Sequence, residues 1–314
     1  MLKTVTYGTA PASHLATRCL KELSIRCSQE NSIISRIIAE DFYVDDLCTG
    51  GSTVQEVLNI KQQVSRILLS AGFELRKFYC NVAEVIENTL EQTVHIGESS
   101  SNKKLGLYWD TANATFKYSI NVQLSQRFTT RTILSCIAQI FDPLGLLVPV
   151  VMLAKIIIQK LGQCKKSWDE SIPLDILTSY RGFYSQLGDL NDLEVSRKIR
   201  VSRHVLVELH GFADANETGY GACIHLRSVN GDGHCSVSLL CSKTRVASMK
   251  TTTIPRLELC AAFLLAELYR RVIGSLNISF DKSFFWSDST IVFTPKTPPD
   301  NTFRGMTPIL NHPV

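Results

Sequence analysis

The sequence predicts a multidomain chain of mixed α+β and α/β class, and three observations predict it. Between Ile37 and Phe78 an apolar approach leads through a tight acidic turn into a long amphipathic stretch and then into alternation. Between about 131 and 187 helical periodicity dominates. Between His204 and Trp286, strand-like runs separated by Gly-rich turns precede and follow one long helical stretch. At 314 residues the chain has room for about two or three domains, and a hydrophobic fraction of 45% is ample for packed cores. The expected division is 1–100, 101–200 and 201–314.

In the first region, Ile37, Ile38, Phe42 and Tyr43 approach the adjacent carboxylates Asp45 and Asp46, and the turn formers Cys48-Thr49-Gly50-Gly51 follow. Adjacent carboxylates repel and are costly to desolvate, so a hairpin carrying them offsets the charge with a cation such as magnesium. Asp-Asp is also common in plain turns, because Asp accepts hydrogen bonds from nearby amides. The sequel adds weight to the metal reading. Thr53 and Glu56 have the spacing of a capping box, and Val54, Val57, Leu58, Ile60, Val64, Ile67 and Leu68 form an apolar stripe that Ala71-Gly72 stops. Phe73 to Phe78 then alternates as a strand, carrying the cations Arg76 and Lys77.

The segment Glu98 to Lys104 is small and polar and predicts a surface connection, with a boundary near residue 100. Lys104 to Asp110 and Thr115 to Ile120 predict short paired strands around a turn. Arg131 to Phe141 is helical in period, Asp142-Pro143-Leu144-Gly145 breaks it, Val148 to Leu161 resumes it, and Trp168 to Pro173 introduces a further helix through Leu187.

In the last region, Val205 to Phe212 predicts a strand with Asp214 at its end, and Gly219 opens a second strand. Asn230-Gly231-Asp232-Gly233 is a hairpin turn leading into a third strand from Cys235. Pro255 suits the first turn of a helix that carries Glu258 and runs to about Val272. Ser283-Phe284-Phe285-Trp286 is a fourth strand, with Asp288 just past it. Each acid alone is an ordinary strand-end or helix-surface residue; the order of three is the signal.

Two resemblances follow from these motifs. Tyr43-Val44-Asp45-Asp46, a helix, then Ala71-Gly72-Phe73-Glu74-Leu75-Arg76-Lys77-Phe78-Tyr79-Cys80-Asn81 resembles the palm of reverse transcriptases of Pao/BEL-type retrotransposons. Phe212-Ala213-Asp214-Ala215, Pro255-Arg256-Leu257-Glu258-Leu259 and Trp286-Ser287-Asp288-Ser289 resemble the RNase H domain of the same elements, and Leu105 to Asp192 resembles their "peptidase" region. The resemblance implies a Pol polypeptide built from a partial palm, a helical thumb and connection, and an RNase H-like mixed sheet with helices.

The resemblance also implies roles. Asp45 and Asp46 would be catalytic in the palm, with Asp45 a metal ligand and Tyr43, Arg76 and Lys77 contacting nucleic acid. Asp214, Glu258 and Asp288 would hold two Mg²⁺ ions, with Mn²⁺ as the alternative, one activating water and the other stabilising the leaving oxygen as the RNA of an RNA–DNA hybrid is cut. Expected partners are RNA–DNA hybrid, template–primer nucleic acid and other Pol or Gag products; the expected location is the cytoplasm, with the nucleus or virus-like particles as alternatives. A second palm Asp would precede Val5-Thr6-Tyr7-Gly8, and a fourth nuclease ligand, a final strand and a helix would follow Asp288. The expectation is therefore a C-terminally truncated fragment without DNA synthesis, whose nuclease activity is balanced against a non-catalytic nucleic-acid-binding or relic role. Asn216 stands where such domains carry Ser.

Other classes find little support. No Asp-Thr-Gly or Asp-Ser-Gly triplet supports an aspartic protease. Cys223, His225, His234 and Cys235 do not make a zinc site, because neighbouring strand positions face opposite ways. No serine elbow or phosphate-binding glycine loop is present. The apolar stretch from Leu144 to Ile158, interrupted by Pro149 and Lys155, falls short of the roughly 20 residues a bilayer requires. Ten cysteines without paired spacing point to reduced thiols, and a net charge of +4 is a mild basic bias compatible with nucleic acid.

Overall fold

The computed structural model describes residues 8–43, 46–87, 101–104, 107–120, 127–201, 203–276, 278–292 and 307–312. Contacts divide the chain into two units, residues 1–100 with 111–113, and residues 101–110 with 114–314.

The first unit begins with α1 (Ala12–Cys27) and α2 (Ser32–Glu40). Asn31 caps α2 by accepting the Ile34 amide at 3.1 Å. Strands β1 (Phe42–Tyr43) and β2 (Asp46–Leu47) pair antiparallel with Tyr43 opposite Asp46, in keeping with the expected hairpin. In α3 (Val54–Ser70), Thr53 caps the Glu56 amide at 3.2 Å, but the Glu56 carboxylate reaches the amide of Ser52 rather than that of Thr53. Its C-terminus is a Schellman motif: Phe73 N–H donates to Leu68 and Gly72 N–H to Leu69, with Gly72 at φ 82°. Ile34, Ile37, Ile38, Ile60, Val64 and Leu68 form the core. The expected strand at 73–78 is corrected: the segment is irregular, Lys77 sits at φ 58°, and that left-handed residue breaks the alternation of an extended chain. A short α4 (Ala83–Glu87) follows.

The second unit opens with a small antiparallel sheet ordered β3 (Ser101–Lys104), β4 (Leu107–Asp110), β5 (Thr115–Lys117) and β6 (Glu194–Ser196). The pairing of β4 with β5 matches the sequence reading. β3 replaces part of the expected polar connection, and β6 arrives from nearly eighty residues away. Three helices lie between: α5 (Thr130–Ile137), α6 (Val148–Gln163) and α7 (Leu174–Gln186), the last followed by a 3₁₀ turn. Pro149 does not break the apolar stretch; it sits in the first turn of α6, where its missing N–H is harmless. Ile133, Ile157, Leu161, Ile176, Tyr180 and Phe183 form the helical core. Asp142 pins the turn before α6 by accepting the amides of Leu146 at 2.8 Å and Leu147 at 2.7 Å. Among the described residues no helix is long and apolar enough to cross a membrane.

The main sheet has five strands: β7 (His204–Asn216), β8 (Gly219–Asn230), β9 (Cys235–Val246), β10 (Lys282–Ser287) and β11 (Thr307–His312), in the order β11-β10-β7-β8-β9. β7 and β10 are parallel and the other neighbours antiparallel. A further strand, β11, follows Asp288 in the chain and pairs antiparallel with the outer edge of β10. Helix α8 (Ile254–Ser275) lies on one face, packing Ala261, Leu264 and Leu265 against Val207, Leu209, Ile224 and Leu226. Gly211 permits that approach, because a Cβ there would stand 2.8 Å from Leu265 Cδ1. The other edge, β9, is covered by the turn before α6, where Ser242 N–H donates to the Leu144 carbonyl at 3.0 Å and the Ser242 hydroxyl donates to the Gly145 carbonyl.

Candidate active site

The parallel register of β7 and β10 sets Phe212 beside Trp286. Two residues further on, the same alignment brings Asp214, still in β7, and Asp288, one residue past β10, to one end of the sheet. Glu258 lies in the second turn of α8, which crosses that end because its apolar stripe is buried on β7 and β8. The result is a cluster in which one carboxylate oxygen from each of Asp214, Glu258 and Asp288 lies within 4.8 Å of the others. Among the described residues it is the one group of three or more His, Cys, Asp or Glu side chains with such convergence.

The electrostatics are those of a site built for positive charge. Glu258 is buried, and its Oε2 has no hydrogen-bond partner among the described residues. Burial first, then the carboxylates of Asp214 and Asp288, push its pKa above the usual range, while the amide of Ala215 pulls the other way. Asp214 is exposed and accepts the Ala215 amide at 2.7 Å. A buried, unpartnered carboxylate oxygen beside two more carboxylates is unfavourable unless protonated or bound to a cation. An all-oxygen donor set of this kind fits a hard divalent ion such as Mg²⁺ or Mn²⁺.

Asn216 closes the turn between β7 and β8: its Oδ1 accepts the Thr218 amide, the Thr218 hydroxyl and the Gly219 amide at 2.7–3.0 Å. On the face away from α8, His210 stacks on Phe284 at 5.0 Å between ring centroids, and Trp286 Nε1 donates to His210 Nδ1 at 3.4 Å. Glu208, two residues before His210, accepts from Arg227 at 2.7 Å. These supports were missed in the sequence; the alternation of Glu208, His210, Phe212 and Asp214 was the available signal.

A model of the Pao retrotransposon-like RNaseH-like domain matches residues 129–289, just over half of the chain. The chain belongs to that family. No curated protein matches it. The matched part of this Pao retrotransposon-like RNaseH-like domain holds all three acids and also runs through α5, α6 and α7. The block between 129 and 192 thus falls within the same family match as the sheet.

The palm residues are placed differently. Asp45 lies outside the described residues, as do Val5, Thr6 and Tyr7. Asp46 stands on β2 opposite an exposed Tyr43, and no convergent group of three ligand-type side chains among the described residues includes it. Arg76 is exposed and paired with Glu74, and Lys77 is exposed.

Proposed function

We propose that the chain is part of a Pao-type Pol protein whose RNase H-like unit cuts the RNA strand of RNA–DNA hybrids, with Asp214, Glu258 and Asp288 holding two Mg²⁺ ions. The convergence of three carboxylates from β7, α8 and β10, one with a buried oxygen lacking a hydrogen bond, carries this reading. Bound divalent ions would neutralise charge at the scissile phosphate and lower the pKa of a coordinated water. The chain's own part is placement. Packing of α8 on the sheet fixes Glu258, and the Ala215 amide orients Asp214.

The first unit is read as derived from a polymerase palm. Its support is the hairpin with Tyr43 opposite Asp46, followed by the capped α3. Template–primer contacts at Tyr43, Arg76 and Lys77, association with Gag or other Pol products, and a cytoplasmic or particle-bound location belong to this proposal as well.

The test is cleavage of a labelled RNA–DNA hybrid by the full chain with Mg²⁺. Wild type is expected to cut, and Asp214→Asn and Glu258→Gln to lose about 100-fold or more. Folded wild-type protein that binds hybrid and cuts no faster than the two variants would leave the non-catalytic, nucleic-acid-binding role in place of the nuclease.

A further inference from the structure

Three cations meet where α6 runs along the outer edge of β9. Lys155 Nζ donates to the carbonyl of Thr244 at 2.8 Å, and Lys243 and Arg245 flank Thr244 in the strand. The charges feel one another: burial, then Lys243, and more weakly Arg245, lower the pKa of Lys155, with Asp142 opposing. Among the described residues none of the three is in an ion pair within 4.0 Å of a carboxylate. Gathering like charges opposes folding, and the contact that gathers them joins segments almost ninety residues apart.

The place of this cluster is informative. Asp214 pairs with Gly221 on β8, and Gly221 pairs with Thr244 on β9. Two inter-strand steps of about 4.8 Å put Thr244 about 10 Å from Asp214 along one row of the sheet. That span covers about three nucleotides along a duplex axis. Lys243 and Arg245 pair with Ala222 and Tyr220, so their side chains leave the sheet on the face that α8 covers, the helix that carries Glu258, and Lys155 reaches the same strand end from the edge. The cations and the acids lie at one end of one sheet, close enough for one nucleic acid to meet both.

We propose that Lys155, Lys243 and Arg245 form a phosphodiester-binding site, which takes backbone phosphates flanking the cut and sets the register of the hybrid on the acid cluster. The proposal rests on the nuclease reading for its substrate and adds the residues that hold that substrate. Lys155 is fixed by Thr244 and acts as a preorganised donor, while Arg245, exposed at the strand end, supplies a fork suited to phosphate oxygens. Recognition of this kind reads charge and shape and leaves base sequence unread.

The experiment is fluorescence anisotropy of a labelled RNA–DNA hybrid with the full chain in EDTA, where no cutting occurs, over a range of salt. Lys243→Gln/Arg245→Gln is expected to lower affinity about fivefold or more near 50 mM salt and to reduce the slope of log K against log salt by about two. Lys243→Arg/Arg245→Lys is expected to keep most of both. Lys155→Gln is measured alongside, with thermal unfolding to show that α6 stays seated; the β9 variants keep the test decisive where it does not. Affinity and slope unchanged in the β9 double variant overturn the proposal, as does a wild-type chain without salt-dependent binding. Wild type that binds through these cations yet cuts nothing with Mg²⁺ refutes the nuclease reading and leaves the phosphate site standing. Wild type that cuts while the double variant binds normally does the reverse.

Discussion

Lys155 and Thr244 are joined by a 2.8 Å hydrogen bond from the ammonium of one to the backbone carbonyl of the other. The bond ties helix α6 to the strand edge that would otherwise present unpaired carbonyls to solvent. Gln159 does the same one turn later, donating to the Ala247 carbonyl at 2.8 Å. Helix α6 and the turn before it thus serve as the edge cover of the five-stranded sheet, which gives a physical reason for one family match to run through both.

That seal depends on Gly145. Its φ of 74° disfavours any side chain, and an added Cβ would overlap the carbonyl of Ser242. Gly145→Ala is expected to cost about 2–3 kcal/mol, and chemical denaturation of the full chain would measure it. Gly162→Ala, at a position with nothing within 4 Å of the added carbon, is the control expected to be neutral or stabilising.

Glu258 makes the acid cluster a source of instability in the absence of metal. Its pKa is raised in the folded state, so the native protein binds more protons than the unfolded chain. Metal-free stability therefore falls as pH rises from the ordinary carboxylate range through Glu258's raised folded-state value, then levels off. Glu258→Gln is expected to remove that dependence and to stabilise the metal-free protein by about 1 kcal/mol at neutral pH. Thermal unfolding in EDTA across pH checks both statements.

Divalent ions reverse the sign. Magnesium at ten times its dissociation constant should stabilise the wild type by about 1.4 kcal/mol, a rise of about 3–5 °C in Tm for a unit of this size. Asp214→Asn and Asp288→Asn are each expected to abolish most of the rise. Because Glu258 must be ionised to bind, the effect weakens as pH falls through its raised pKa.

The pair Glu208 and Arg227 supports the strand carrying Asp214. Glu208 is 9% exposed and the Arg227 guanidinium lies 2.7 Å away. Arg227→Met leaves the carboxylate buried without its cation and is expected to destabilise the fold. Glu208→Gln combined with Arg227→Met should recover part of that loss in a double-mutant cycle read by denaturant unfolding.

The acids were legible in the sequence because each follows from a local rule: a strand end, a proline-led helix, a strand end again, in an order that one sheet can bring together. The hairpin at Tyr43 and Asp46 and the cap at Thr53 were legible for the same reason. The phosphate-binding cations were not, because Lys155 meets β9 only through tertiary packing and nothing in the sequence near Lys243 announces it. β3 and β6 were missed because strands of three or four mostly polar residues carry too little alternation to read, and β11 because Pro308 interrupts its short run. The strand expected at 73–78 failed on the backbone of a single residue, Lys77.

The most direct test of the account is whether Asp214, Glu258 and Asp288 bind a divalent ion together. Mn²⁺ binding to the full chain, followed by electron paramagnetic resonance, is predicted to show a site in the wild type that weakens about tenfold or more in Asp214→Asn and in Glu258→Gln. Equal Mn²⁺ affinity in the wild type and both variants would contradict the account, since the convergence of the three carboxylates would then be doing nothing for the metal.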